Sequence, residues 1–109
     1  MRTLKFIVDG LILKPDPECN FSNLVPGTDG YLQVSFEFSQ EWSDCDKVVG
    51  FWSAMGREYA PQKLSNENTC MVPSDALKRR EFKMKVFGVR NGYKITTNKV
   101  TVSQNGGIS

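Results

Sequence analysis

Tyr31-Leu32-Gln33-Val34-Ser35-Phe36-Glu37-Phe38 is the stretch that decides the fold. Leu32, Val34, Phe36 and Phe38 alternate strictly with Tyr31, Gln33, Ser35 and Glu37. A two-residue period turns one set of side chains to a buried face and the other to water. The pattern returns at 82–87, where Phe82, Met84 and Val86 form one set and Lys83, Lys85 and Phe87 the other. Between them, Lys47 to Ala54 reads as a strand with Val49 and Phe51 on one face and Val48 and Trp52 on the other. Apolar residues on both faces predict a central strand or an outward contact patch.

Moving outward, Leu4, Phe6 and Val8 alternate up to Asp9-Gly10, and Leu11-Ile12-Leu13 follows, so residues 1–14 read as a hairpin turning at Asp-Gly. Residues 15–30 hold Pro15, Pro17, Pro26, Gly27 and Gly30 and read as a long Pro-containing loop. Phe21, Leu24 and Val25 are its apolar exceptions, which either tack onto the body or await a partner. Trp42, in the polar corner 39–46, reads as a cap over the end of the core. Arg57 to Ala60 returns after a turn at Met55-Gly56, and 61–68 is a polar connection. Thr69 to Val72 is a short strand stopped by Pro73, with Ser74 expected to cap a single helical turn. Asn91-Gly92 predicts a type I′ turn between the strands 81–89 and 93–103. Ile95 has one parity and Val100 and Val102 the other, so a bulge or crossover is expected near Thr96-Thr97-Asn98. Residues 105–109 read as a tail.

Seven or eight short strands in 109 residues predict one all-β domain. The expected architecture is an immunoglobulin-like antiparallel β-sandwich with its main body at 31–104, a small closed barrel being the alternative.

The catalytic vocabulary is poor. There is no histidine, so neither a Ser-His-Asp set nor a His-activated cysteine is present. Cys19, Cys45 and Cys70 are odd in number, widely spaced and unlike a zinc pattern, and read as reduced thiols. Asp44 and Asp46 flank Cys45, and Asp16 and Glu18 sit in the long loop, but neither pair follows a calcium-loop spacing. Gly88 and Gly92 are too isolated for a phosphate loop. The expectation is therefore a non-enzymatic protein with no cofactor and no metal. No apolar run approaches the roughly 18 residues of a membrane span, and the stretch 1–8 lacks a signal peptide's apolar block.

The formal net charge of +2 is unevenly spread. From Lys78 to Lys99 there are eight basic residues and one acid; the first 77 residues carry six basic residues and eleven acids. Such asymmetry suits nucleic acid, head-to-tail docking of copies, or a solvated face whose lysines discourage edge aggregation. Stacking of nucleic acid on Lys83, Lys85 and Phe87 is conceivable, but nucleic acid is not the expected partner.

A set of ordered pieces adds a family resemblance. They are Phe-Glu-Phe-Ser-Gln-Glu-Trp at 36–42, Phe51, Cys-Met-Val-Pro at 70–73, Ala-Leu at 76–77, Phe-Lys-Met-Lys-Val-Phe-Gly at 82–88 and Ile-Thr-Thr-Asn at 95–98. Together they resemble a β-sandwich module of structural proteins of tailed bacteriophages and prophages of Gram-positive bacteria, similar to segments of baseplate and tail-fibre proteins. The resemblance covers about 31–106. It implies a virion building block, assembled in the bacterial host cytoplasm, that binds other virion proteins and copies of itself. The alternative is a phage-encoded effector in the host cytosol that binds a host protein or a small signalling molecule to block a defence. Phe21, Leu24, Val25, Trp52, Lys83, Lys85 and Phe87 are the candidate partner-contact residues.

Overall fold

The alternating segments fold into two sheets whose apolar faces meet. The computed structural model describes residues 1–104; the tail expected at 105–109 lies outside the described residues. Its strands are β1 (Arg2–Asp9), β2 (Ile12–Pro15), β3 (Leu32–Phe38), β4 (Asp46–Ser53), β5 (Gln62–Lys63), β6 (Thr69–Met71), β7 (Glu81–Arg90), β8 (Tyr93–Thr96) and β9 (Val100–Ser103). One sheet runs β2-β1-β3-β6; the other runs β5-β4-β7, with β8 and β9 both on the far side of β7. One sheet thus holds β3 beside β6, and the other holds β4, β7, β8 and β9. The result is an all-β sandwich, and among the described residues no strand of one sheet pairs with the other to close a barrel.

The core follows the sequence period. Leu4, Phe6 and Val8 from β1 and Val34 and Phe36 from β3 meet Val49 and Phe51 from β4 and Phe82, Met84 and Val86 from β7. Trp42 is fully buried and donates from Nε1 to the Gly10 carbonyl at 2.7 Å, so it caps one end of the core. Gly88 makes that possible: a Cβ there would lie 2.8 Å from the indole.

Several expectations are corrected. Among the described residues there are nine strands: the last expected strand is broken in two, Arg57 to Ala60 contributes only a bridge from Glu58 to Trp52, and a two-residue strand forms at Gln62–Lys63 inside the expected polar connection. The break lies where the parity failed. Thr97 is buried, and its Oγ1 accepts the Val86 N–H at 3.0 Å in place of a regular ladder bond. Asn98 reaches the other sheet: its Oδ1 accepts the Leu13 N–H at 2.8 Å and its Nδ2 donates to the Leu13 carbonyl at 3.1 Å.

The sandwich is not wholly antiparallel. β1 and β3 pair in parallel, from Arg2 opposite Leu32 to Val8 opposite Phe38. The long connection between them supplies the crossover that parallel neighbours need. The N-terminal hairpin is thus half of one sheet, with β1 inside it.

Local turns differ as well. The first hairpin turns at Gly10-Leu11 rather than Asp9-Gly10, with Gly10 at φ +61. Asn91 keeps a negative φ while Gly92 is at +87, so the second turn is not type I′, which needs positive φ at both positions. Ser74 is not the helical cap. The single-turn 3₁₀ helix is Ala76–Lys78, preceded by Asp75 without a side-chain cap, because Pro73 and Ser74 carbonyls already accept the Ala76 and Leu77 N–H groups.

Candidate interaction surface

The outward face of the five-stranded sheet is built by β4 and β7 at its centre. Inward parity at Val49 and Phe51 forces Val48, Gly50 and Trp52 outward, and inward Met84 and Val86 force Lys83, Lys85 and Phe87 outward. Antiparallel register sets Val48 beside Phe87, Gly50 beside Lys85 and Trp52 beside Lys83. Gly50 decides how the aromatics lie. With no Cβ, it leaves a flat spot onto which the Trp52 indole folds; a Cβ there would be 2.5 Å from Trp52 Cη2 and 3.1 Å from Phe87 Cε2. The two rings end 6.3 Å apart, centroid to centroid.

Lysines surround this aromatic floor. The Lys99 ammonium lies 4.8 Å from the Trp52 ring centroid, and Lys94 and Lys85 lie 5.3 and 5.6 Å from that of Phe87. Such contacts contribute about 0.5–1 kcal/mol each at exposed sites. Lys83 and Lys85 are half-buried. Among the described residues the ion pair is Lys78–Asp75, elsewhere in the molecule, so none of these four lysines has a carboxylate partner there. The face offers two neighbouring aromatic rings, tilted 56° to each other, with lysines around them that are in no ion pair among the described residues. Chemically it suits carboxylates or other anions carried on an apolar surface.

Four of the expected contact residues, Trp52, Lys83, Lys85 and Phe87, are brought together here. The three from the long loop are not. Phe21 is half-buried, edge-on to Phe6 at 5.3 Å, and Leu24 is buried in the core. The crossover has to pass beneath the open end of the sandwich, so its apolar residues fill that end. Arg2 pins it through the Asn20 and Asn23 carbonyls, and the Gly27 N–H donates to Leu77 O. Of the three, Val25 alone is exposed, in a small cleft with Tyr31 at the loop end. Lys94, Lys99 and Gly50 belong to the face but were not placed by sequence reading. Lys94 precedes the break and shares its outward parity with the alternation around Ile95, Lys99 lies in the break that hides its parity, and a lone glycine in a strand gives no sign of the ring above it.

The thiols are free, and burial pushes the half-buried Cys70 thiol up to about 12, which disfavours its thiolate at neutral pH. Among the described residues no three His, Cys, Asp or Glu side chains come together to hold a metal ion, and no helix is long and apolar enough to cross a membrane. Neither a family model, nor a curated protein, nor a solved structure matches the chain.

Proposed function

We propose that the chain is a non-enzymatic structural protein of a tailed-bacteriophage virion, acting as a protein–protein contact module in the tail, baseplate or capsid decoration. Its partners are other virion proteins and further copies of itself, met during assembly in the bacterial host cytoplasm. The ordered pieces from Phe36 to Asn98 and their resemblance to phage sandwich modules support the setting. The contact role is carried by one observation: Trp52 and Phe87 sit side by side on a sheet face, ringed by Lys83, Lys85, Lys94 and Lys99 without acidic partners. Aromatic anchors within a charged rim are how many interfaces concentrate their binding energy.

Mass spectrometry of purified particles tests the setting. The chain should be present in many copies. Its absence from particles, with capture of a host protein or a nucleotide from infected cells, would replace this reading with the effector alternative. Lys83→Glu together with Lys85→Glu tests the face: incorporation into particles should fall while the melting temperature stays within a few degrees of wild type.

A further inference from the structure

A second surface lies at one end of the sandwich. β4 runs from Asp46, opposite Val89, to Ser53, opposite Phe82, so its finish and the start of β7 share an end. A cavity of about 600 Å³ opens there. Met55, which is 94% exposed, and Tyr59 supply apolar lining; Arg57, Arg79 and Arg80 supply three guanidinium groups against one carboxylate, Glu81. Among the described residues none of the three arginines is in an ion pair. The backbone under them is fixed, since the Arg79 and Arg80 carbonyls accept hydrogen bonds from Gln104.

The opposite end carries a complementary shape and charge. The tip of the β1–β2 hairpin is tied to that end by the bond from Trp42 Nε1 to Gly10 O, beside Gly88. Leu11 and Ile12 stand out from it, 51% and 57% exposed. Asp9 and Glu41 flank them; Glu41 Oε2 lies 3.8 Å from where a Gly10 Cβ would be. A backbone hydrogen bond and the Ser39 hydroxyl hold the Glu41 carboxyl below its ordinary pKa, so it is anionic at neutral pH. Neither acid is in an ion pair among the described residues. Eight residues of β4 separate the two ends by about 25 Å of strand.

We infer that the chain docks head to tail on copies of itself, the hairpin tip of one copy entering the arginine-rimmed cavity of the next. Two aliphatic side chains between two acids fit an apolar cavity rimmed by three arginines. The occupant is a second copy because its own opposite end carries the matching charge and exposed apolar side chains. The contact joins unlike surfaces, so it propagates into a ring or a filament rather than stopping at a symmetric dimer. The inference rests on the contact-module reading for its setting and specifies how one partner named there, a second copy, is met.

Sedimentation of the purified full-length chain tests it. The weight-average mass should rise with concentration at low salt and fall back toward the monomer near 1 M salt, where screening reaches only about 3 Å. Asp9→Lys with Glu41→Lys, and separately Arg79→Glu with Arg80→Glu, should each weaken self-association about tenfold or more. An equimolar mixture of the two variants should assemble again, because the reversed ends complement each other. Leu11→Ser with Ile12→Ser, at two exposed positions, should weaken association without changing any charge. A wild-type chain that stays monomeric at low salt, association undiminished in the variants, or a mixture that stays monomeric would each overturn the inference. Particle incorporation is not measured in this assay, so presence in virions and self-docking succeed or fail separately.

Discussion

Gly88→Ala and Gly50→Ala place the same methyl group on the two faces of one sheet, and they should give opposite results. At position 88 the new Cβ would sit 2.8 Å from Cε3 and Cζ3 of Trp42. Ordinary carbon contacts lie at about 3.5–4.0 Å, so the indole must retreat by roughly 0.7–1 Å. It has little room: Trp42 is fully buried, packs on Phe38 at 5.2 Å and holds its 2.7 Å bond to Gly10. Overpacking of this kind costs about 1–3 kcal/mol, against a gain of about 0.5–1 kcal/mol from replacing a strand glycine. The net loss should be about 1–2 kcal/mol, or a melting temperature lower by roughly 4–15 °C. At position 50 the obstructing ring is that of Trp52, which is half-buried at the surface and can swing out. Gly50→Ala should therefore melt within a few degrees of wild type while its tryptophan emission moves to the red. Thermal melts followed by far-UV circular dichroism, with emission spectra at 20 °C, separate the two. A Gly88→Ala chain as stable as wild type, or a Gly50→Ala chain losing as much as Gly88→Ala, would refute the reasoning.

Three further substitutions probe other parts of the molecule. Asn98→Ala removes both hydrogen bonds to Leu13 and should cost about 2 kcal/mol in urea denaturation, whereas Asn98→Asp keeps the acceptor and should lose about half of that. Faster amide exchange at Leu13 should accompany the alanine variant, while the aspartate variant, which keeps the acceptor of the Leu13 N–H, should stay closer to wild type. Leu24→Ala should cost about 2–4 kcal/mol, because the side chain fills the open end of the core; unchanged stability would return the long loop to the role of a free contact segment. Cys70, pushed up from 9.0 to about 12 by burial, contributes its full share of stability below pH 9. That share is lost as pH rises from 9 toward 12, since the unfolded chain ionises its thiol first. Replacing it with Ala should flatten the fall in urea midpoint above pH 9, and native Cys70 should resist iodoacetamide at pH 8.5 where the unfolded chain reacts.

The strands at 32–38, 46–53 and 81–90 were legible because each buries one face, and a two-residue period can then have only one cause. Trp42 was legible as a cap because a large ring amid polar neighbours has no other apolar surface to join. The direction of β3 was not legible. Nothing local in Leu32–Phe38 distinguishes a parallel from an antiparallel neighbour; that choice is made by the crossover, whose path depends on Phe21 and Leu24 finding the core. For the same reason those two side chains could be read either as anchors or as partner contacts. Thr97 and Asn98 were located by the parity break, yet the sequence carries no sign that Asn98 bonds across to the opposite sheet. On the outward face of the five-stranded sheet, Trp52, Lys83, Lys85 and Phe87 follow from parity alone, and Lys94 follows from inward Ile95, while Lys99 sits in the break itself.

The bond between Asn98 and Leu13 also bears on how this molecule can meet another. β2 is an outer strand of four residues; Asn98 occupies the N–H and carbonyl of Leu13, and Pro15 has no N–H to offer. The other borders are the two-residue β5, the three-residue β6 and the interrupted β8–β9 run. Among the described residues none presents a long, free ladder of backbone groups, so a visiting strand finds little to zip on. Short edges disfavour recruitment by main-chain pairing, the route that leads from one misplaced copy to an aggregate. An association made by side chains instead inherits their properties: selectivity for shape, sensitivity to salt, and ready reversal.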